Sequence, residues 1–229
     1  DISSLPELDR ISYSPQLGLT IGSLVTLRHL AAHRDVRDNY PLLAQAALSM
    51  GSAQLQAMGT IGGNLCQDTC CIYYNLPPMS RQGLDPCYKL GGGKCHAVKG
   101  SKNCWATYCG DMAPALLALQ AQLIIADKDG DKAIPVRSLF SGRGENPHNL
   151  QSGQLLKEIL LPPPGNARGV YLKLRLRKSI DYPLLGVAVN IVSDPGRKTL
   201  KKVALALTAV GKSPLLIATP TAIAASGDL

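Results

Sequence analysis

The chain has 229 residues, of which 45% are hydrophobic and 17% are charged. That composition is ordinary for a globular protein and excludes an intrinsically disordered chain. No uninterrupted apolar run reaches the roughly 18 to 20 residues that span a bilayer, so no membrane partner is expected. The formal charge of +8 is spread along the chain, and nucleic acid is not expected as a partner either.

Cysteine usage indicates the compartment. The seven cysteines are an odd number and include the adjacent pair Cys70 and Cys71, which fits a disulfide framework poorly in a chain of this length. Reduced thiols are therefore expected, and with them a cytoplasmic location. The sequence begins at Asp1 without a charged and apolar leader, so no secretion signal is predicted.

The N-terminal part of the chain is predicted to hold a strand followed by two helices. Leu17–Ile21 is typical of a short strand, and Ser23 is predicted to cap a helix that continues to Leu30. A second helix is expected to begin near Pro41 and to end before Gly51. The wide apolar face of this second helix predicts that it is buried.

A glycine turn follows at Thr60-Ile61-Gly62-Gly63-Asn64. Adjacent glycines let backbone N–H groups crowd against an anion, here with a hydroxyl before them and an amide after them. Taken alone, the pattern fits a tight turn between two elements at least as well. Both interpretations stay open at this point.

The segment from Cys66 to Cys109 contains several prolines and three consecutive glycines but little apolar periodicity, which predicts minimal regular structure. A loop this long is uncommon unless something stabilises it. Four thiolates could do so by binding an iron–sulfur cluster or a zinc ion. Zinc sites more often contain Cys-x-x-Cys pairs, which this sequence lacks, but the cysteine pattern alone leaves both metal centres open. The four spaced cysteines are Cys71, Cys87, Cys95 and Cys104.

Beyond the cysteine segment the pattern predicts a helix, a hairpin and a further strand. The helix is expected at Asp111–Leu119, with Asp111 as its N-cap, and the hairpin strands at Ala121–Ala126 and Lys132–Val136. Leu155–Leu161 is the further strand, and three consecutive prolines follow it. This proline run is the predicted domain boundary.

A second set of strands is predicted after the boundary. Leucines at every second position from Leu172 to Leu176 alternate with basic residues, a period of two that predicts a strand with its leucines in the core. Leu184–Val192 and Val203–Val210, separated by a turn at Asp194-Pro195-Gly196, add two more strands. Together they predict an antiparallel sheet.

Four segments together resemble a known family: Met58–Thr69, Gly110–Leu116, Tyr171–Lys173 and Asp181–Ala188. They are similar to the FAD-binding subunit of 4-hydroxybenzoyl-CoA reductase, within the xanthine dehydrogenase and carbon monoxide dehydrogenase flavoprotein family, and the cysteine spacing agrees with that reductase. The resemblance implies an α+β fold. Residues 1–164 would be a FAD-binding domain of the PCMH/VAO-like type, N-terminally truncated, with a cysteine-bearing insertion at about 66–109. Residues 165–229 would be an incomplete C-terminal domain like that of carbon monoxide dehydrogenase flavoproteins.

The resemblance also implies two cofactors, FAD and a [4Fe–4S] cluster. The cluster ligands would be the four spaced cysteines, leaving Cys66, Cys70 and Cys109 as free thiols, with Cys70 or Cys109 as the alternative to a neighbouring ligand. Three of the implied flavin residues have plainer explanations. Asp111 could simply cap a helix, Lys173 could lie on a solvated strand face, and Leu156 could be an ordinary core leucine. The implied FAD-contacting residues are Thr60, Ile61, Gly62, Gly63, Asn64, Asp111, Leu156 and Lys173.

The implied function is electron transfer, with no catalytic residue on this chain. Electrons from ferredoxin would enter the [4Fe–4S] cluster, pass to FAD, and leave through a [2Fe–2S] subunit to a molybdopterin-binding subunit that reductively dehydroxylates 4-hydroxybenzoyl-CoA to benzoyl-CoA. One alternative is the FAD subunit of another molybdenum hydroxylase, of the aldehyde or xanthine dehydrogenase type. A second alternative is a zinc-stapled, non-catalytic binding module.

Overall fold

The computed structural model of the chain describes residues 2–177, 180–193 and 200–217. These residues form two antiparallel sheets with short helices packed between and around them. The strands are β1 Ile11–Ser14, β2 Gly18–Gly22, β3 Gln122–Asp127, β4 Gly130–Pro135, β5 Leu155–Leu161, β6 Ala167–Leu174, β7 Leu185–Ser193, β8 Leu200–Thr208 and β9 Leu215–Ile217. The helices are α1 Leu27–Ala32, α2 Arg34–Asn39, α3 Pro41–Ser49, α4 Ala53–Met58, α5 Ile61–Leu65 and α6 Met112–Ala118, and 3₁₀ turns lie at Pro6–Asp9, Pro78–Arg81, Tyr88–Leu90 and Val136–Leu139.

The first sheet has five strands in the order β1-β2-β5-β3-β4. The central strand β5 pairs with β2 on one side and with β3 on the other. The predictions of a strand near Leu17–Ile21, of a hairpin that turns at Gly130 and of a strand at Leu155–Leu161 are confirmed to within about two residues.

The second sheet has four strands in the order β6-β7-β8-β9. The predicted strands Leu184–Val192 and Val203–Val210 correspond to β7 and β8, and the predicted antiparallel pairing is confirmed. The turn predicted at Asp194-Pro195-Gly196 lies outside the described residues.

One hydrophobic core connects the two sheets. The helix predicted from Pro41 is confirmed as α3, which packs against α1 and β6, and α6 packs against β7 and β8. Two polar contacts reinforce this arrangement, since Tyr40 donates to the carbonyl of Pro162 at 2.8 Å and Asn190 donates to that of Ala118 at 3.3 Å. Helix α6 therefore lies where the second sheet meets the rest of the fold.

The buried face of β6 is the opposite of the one predicted. Leu172 and Leu174 are 64% and 60% exposed, whereas the Tyr171 residue is 5% exposed and the Lys173 side chain 4%. A period of two fixes only that successive side chains point to opposite faces, not which face is buried. The burial is decided by α3, where the Gln45 side chain accepts a hydrogen bond from the Tyr171 backbone N–H at 2.9 Å, and by an ionic partner for Lys173.

The start of the first helix also differs from the prediction. Thr26, not Ser23, is the N-cap of α1, and its hydroxyl accepts from the His29 backbone N–H at 3.2 Å. Ser23 is in the turn that follows β2, where its backbone N–H donates to the Lys157 carbonyl and its own carbonyl accepts from the Gly62 N–H. It is therefore held by the central strand of the first sheet instead of by the helix.

The cysteine segment matches its prediction of little regular structure. Between residues 66 and 109 only the turns Pro78–Arg81 and Tyr88–Leu90 are helical, both of the 3₁₀ type.

Among the residues that the structure describes, no helix has the length and apolar character needed to cross a bilayer.

Candidate cofactor sites

The glycine motif forms the start of the short helix α5. Thr60 is its N-cap, and the Thr60 hydroxyl accepts a hydrogen bond from the Gly63 backbone N–H at 3.0 Å. Gly62 is pressed against the connection that follows β2, because a Cβ on it would lie 2.7 Å from the carbonyl oxygen of Ser23. Gly63 faces the surface, and its Cβ would approach only the Thr60 hydroxyl, at 3.0 Å. At this motif two backbone segments therefore approach each other closely at Gly62, while Gly63 remains accessible at the surface.

Asn64 joins this motif to the start of α6. Its side-chain oxygen accepts from the Met112 backbone N–H at 3.0 Å, and its carbonyl accepts from the buried Tyr108 hydroxyl at 3.1 Å. The Tyr108 hydroxyl also donates to the carbonyl of Leu65 at 3.0 Å. The amide of Asn64 therefore has a structural role that the sequence motif did not reveal.

Asp111 occupies the N-cap position of α6, but its side chain makes no capping hydrogen bond. The carboxylate instead accepts from the Tyr171 hydroxyl at 2.7 Å and pairs with the Lys173 ammonium at 2.9 Å. Burial raises the pKa of Asp111, and the Lys173 charge and these hydrogen bonds act in the opposite direction. The prediction that Asp111 is the N-cap residue of α6 is confirmed, although its side chain does not cap the helix. The explanation of Lys173 by a solvated strand face is wrong, because its side chain is buried.

These groups open onto one cavity, here called the Asp111 cavity, which holds about 660 Å³ of space including its mouth. Three of the predicted flavin residues, Asn64, Asp111 and Lys173, line it. Residues 60–63 immediately precede Asn64 at the start of α5. Leu156 does not line it: this leucine is buried in β5, where it pairs with Ile125 of β3. The residues that line the cavity include Asn64, Gln67, Cys109, Asp111, Lys173 and Tyr182.

The four spaced cysteines line a second, smaller cavity, here called the cysteine cavity. Three cationic or titratable side chains, Lys89, Lys94 and His96, line it as well. The Lys89 side chain is 2% exposed, and its ammonium donates to Asp68 at 2.6 Å and to Thr69 at 2.8 Å. A buried cation therefore stands beside the thiols. The cysteines lining this cavity are Cys71, Cys87, Cys95 and Cys104.

The thiols are not arranged as a site for a single ion. Within the described residues, no group of three or more His, Cys, Asp or Glu side chains could hold one metal ion. Tetrahedral zinc requires four sulfurs about 2.3 Å from a common point, so the zinc interpretation has no support from this geometry. A cubane is larger than one ion and separates its ligands further. The [4Fe–4S] assignment stays a prediction.

The family of the chain follows from its first 164 residues. They match the model of the FAD binding domain in molybdopterin dehydrogenase. The chain belongs to this family. FAD is therefore the cofactor of the domain.

Individual relatives agree with this membership. The FAD-binding chain is 37% identical over 207 residues to the aldehyde oxidoreductase FAD-binding subunit PaoB of Escherichia coli strain K12, which covers 86% of this chain and 65% of that protein. It is 24% identical over 216 residues to the caffeine dehydrogenase subunit beta of Pseudomonas sp. strain CBB1, covering 94% of this chain and 59% of that protein. The chain thus spans about three fifths of the length of these relatives.

A solved structure gives the fold independently. Carbon monoxide dehydrogenase from Hydrogenophaga pseudoflava superposes with a TM-score of 0.69 at 24% identity, covering 94% of this chain and 60% of that one. At this identity the likeness concerns the fold alone. It confirms the predicted α+β fold of the FAD-binding type.

Buried polar atoms without a hydrogen-bond partner indicate where the FAD-binding domain could contact the polar groups of its cofactor. Among the described residues, the Ser23 hydroxyl and the Gln67 side-chain nitrogen are buried without a hydrogen-bond partner. Ser23 lies against Gly62, and Gln67 lines the Asp111 cavity. Buried polar groups are nearly always hydrogen-bonded, so the Gln67 nitrogen, which belongs to a residue that lines the cavity, suits a polar ligand. Sequence reasoning missed Gln67 as a site residue, although it lies inside the segment that carries the family resemblance.

Proposed function

We propose that this chain is the flavin and iron–sulfur part of a molybdenum-containing oxidoreductase of the aldehyde oxidoreductase type. The 37% identity to the FAD-binding subunit of such an enzyme, over 86% of this chain, supports that choice. The proposed partners are a molybdopterin-binding subunit and a [2Fe–2S] subunit, with ferredoxin as the external electron carrier. The proposed division of the chain at residue 164 is supported by the end of the family match at the same position.

In the flavin site, the backbone of Thr60, Ile61, Gly62 and Gly63 is proposed to receive the phosphate or ribityl groups of FAD. The position of Gly63 supports this role, since this glycine faces the surface and leaves its backbone accessible. The side chain of Ile61 is buried in the core, so its contribution would come from the backbone.

Asp111 and Lys173 are proposed to face the reactive end of the flavin from the Asp111 cavity. A lysine ammonium there would stabilise the negative charge that a reduced isoalloxazine acquires. The carboxylate of Asp111 and the carbonyl of Ser49 hold that ammonium at 2.9 and 3.2 Å, respectively. Asn64 orients the start of α6, on which Asp111 stands. Leu156 keeps only a supporting role, as a core residue beneath the site.

The convergence of the four cysteines on one cavity is the observation that carries the iron–sulfur part of the proposal. They are up to 33 residues apart in sequence, yet they line the same small cavity as the buried Lys89. Clusters of four thiolates are anionic, and a fixed cation beside them stabilises the charge. An iron–sulfur cluster exchanges single electrons and a flavin stores a pair, which together suit a chain that relays electrons between one-electron and two-electron partners.

A second candidate is the FAD-binding subunit of a 4-hydroxybenzoyl-CoA reductase. The 16, 8 and 9 residue intervals of the four cysteines favour it, because they agree with the resemblance to that reductase. Assay of the assembled complex distinguishes the two candidates. Oxidation of aldehydes supports the aldehyde oxidoreductase type, whereas reductive dehydroxylation of 4-hydroxybenzoyl-CoA with a strong one-electron donor supports the reductase.

The iron–sulfur role is tested by a pair of matched variants. Cys87→Ser removes one proposed ligand, so the purified protein is expected to lose its iron and keep its flavin. Cys66→Ser is the control, because burial raises the pKa of this thiol to about 11 and it stands outside the cysteine cavity. Iron content equal to that of the wild type in Cys87→Ser would refute the ligand role.

A further inference from the structure

A third cavity, here called the Arg81 cavity, lies within the irregular segment between residues 66 and 109. It holds about 720 Å³ of space including its mouth, a size typical of sites for small organic molecules. Among the described residues it shares no lining residue with the Asp111 cavity, and it borders the cysteine cavity at Cys87. The cavity is therefore separate from the proposed flavin site.

Most of the wall is apolar. Pro78, Leu84, Pro86 and Leu90 all line the cavity. Leu84 and Leu90 are 40% and 47% exposed, although both are large apolar side chains. A ligand with an apolar body would remove this surface from water, which favours its binding.

Two rings form another part of the wall. The rings of Tyr73 and His96 lie with their centroids 5.8 Å apart and their planes inclined by 38°. The His96 ring is held in place by its Nε2 atom, which lies 2.8 Å from the Asp85 carbonyl oxygen. Because a carbonyl only accepts hydrogen bonds, this nitrogen is the protonated one. The cavity thus has a fixed aromatic wall against which a flat ligand can pack.

Arg81 supplies the positive charge of the cavity. It is the last residue of the 3₁₀ turn Pro78–Arg81, and its guanidinium carbon lies 5.9 Å from the centroid of the Tyr74 ring. Its Nε atom is buried and has no hydrogen-bond partner among the residues that the structure describes. Buried polar groups are nearly always hydrogen-bonded, and a guanidinium pairs best with a carboxylate, which accepts two parallel hydrogen bonds. A bound carboxylate would therefore supply the acceptor that Arg81 lacks.

The charge of Arg81 is not balanced by the wall itself. Asp85 is the acidic residue that lines the cavity, but its carboxylate forms an ion pair with Lys94. The ion pair leaves the guanidinium without a counter-charge from the wall. An anionic ligand is thus favoured over a neutral or cationic one.

We propose that the Arg81 cavity binds a small carboxylate with an apolar body, for which benzoate is a suitable probe. The Arg81 guanidinium holds the carboxylate, and the apolar and aromatic walls cover the body. The binding itself does not depend on the cofactors. Its link to the reaction rests on the proposed function, since oxidation of an aldehyde yields a carboxylate and the product would then have a site on the electron-transfer chain.

The test is isothermal titration of the purified holoprotein, with FAD bound, with sodium benzoate. We expect one site per chain, and Arg81→Met should weaken binding by at least about tenfold, because it removes a charge-assisted contact. Arg28→Met is the matched control, since Arg28 is exposed on α1 and does not line the cavity. Benzamide, which keeps the ring without the charge, and acetate, which keeps the charge without the ring, should both bind more weakly than benzoate.

Two further variants keep the proposal testable if Arg81→Met disturbs the segment. Arg81→Lys retains the charge without the planar fork and should bind benzoate with intermediate affinity. Leu90→Glu adds a carboxylate to the apolar wall and should weaken benzoate binding by repulsion. Absence of benzoate binding to the wild type, or equal affinity in the wild type and Arg81→Met, would overturn the proposal.

Assay of the assembled complex for aldehyde oxidation separates this inference from the proposed function. Benzoate binding that depends on Arg81, in a protein whose complex does not oxidise aldehydes, would support the carboxylate site and refute the aldehyde oxidoreductase type. Aldehyde oxidation by a complex whose FAD-binding chain does not bind benzoate would do the reverse.

Discussion

Replacing Lys173 by Met is expected to destabilise the protein, because it leaves the Asp111 carboxylate buried without its cation. The two side chains are each 4% exposed, and their charged atoms lie 2.9 Å apart. Breaking a buried ion pair by removing one partner costs about 3–5 kcal/mol. The Tyr171 hydroxyl remains 2.7 Å from the carboxylate, so we expect the lower end, about 3 kcal/mol.

The measurement is the midpoint of urea unfolding, monitored by circular dichroism. FAD is removed beforehand, so that a loss of FAD binding does not add to the change in the midpoint. With a slope of about 2 kcal/mol per molar urea, 3 kcal/mol lowers the midpoint by about 1.5 M. Lys132→Met, on an exposed position of β4, is the matched control and should leave the midpoint nearly unchanged. The double variant Asp111→Asn with Lys173→Met removes both charges and should recover much of the loss.

The same variant has a defined pH dependence. Burial raises the pKa of Asp111 and Lys173 opposes that rise, so removing the lysine raises the pKa further. A carboxyl whose pKa is higher in the folded state contributes stability below its unfolded pKa and loses that contribution as pH rises through the folded value. The destabilisation in Lys173→Met should therefore shrink in mild acid and grow toward neutral pH. Two results would refute this reasoning. One is a loss of stability in Lys173→Met that is equal in mild acid and at neutral pH. The other is a loss in the double variant that is as large as in Lys173→Met.

Three further predictions concern the motif, its anchor and the cysteine cavity. Gly62→Ala should cost about 1–3 kcal/mol in urea unfolding, since its Cβ would lie 2.7 Å from a backbone oxygen, whereas Gly83→Ala, which has open space around it, should cost little. Tyr108→Phe should cost about 1–3 kcal/mol, because the Asn64 carbonyl loses the Tyr108 donor and the Leu65 carbonyl keeps only the His148 ring nitrogen, at 3.2 Å; an unchanged midpoint would contradict that anchoring role. Lys89→Met should lower the cluster's reduction potential in a dye-mediated titration, since it removes a buried positive charge, whereas Lys99→Met, at an exposed position, should not; equal potentials in the two variants would argue against a cluster in the cysteine cavity.

The sequence predicted most of the local structure because local patterns decide it. The strand Leu155–Leu161 and the buried helix from Pro41 have clear periodicity and clear boundaries, and both are confirmed. The irregular cysteine segment was predictable for the same reason, since prolines and glycines prevent regular hydrogen bonding. The cysteine spacing also singled out the four thiols that the fold gathers around one cavity.

The predictions from sequence failed where a contact between residues distant in the chain determines the structure. Lys173 is buried because Asp111, 62 residues away, supplies its charge partner, and no periodicity within β6 contains that information. The capping potential of Ser23 is real, but the connection that contains it is committed to backbone pairing with β5. Leu156 looks the same in sequence whether it contacts a cofactor or fills the core, and the fold puts it in the core.

Flavin and metal analysis of the purified protein under anaerobic conditions tests the central claim most directly. The account predicts one FAD and about four irons per chain, with a broad absorption band near 400 nm beneath the flavin bands. Zinc without iron, or flavin with no metal bound to the chain, would contradict the claim that the four cysteines beside Lys89 hold an iron–sulfur cluster.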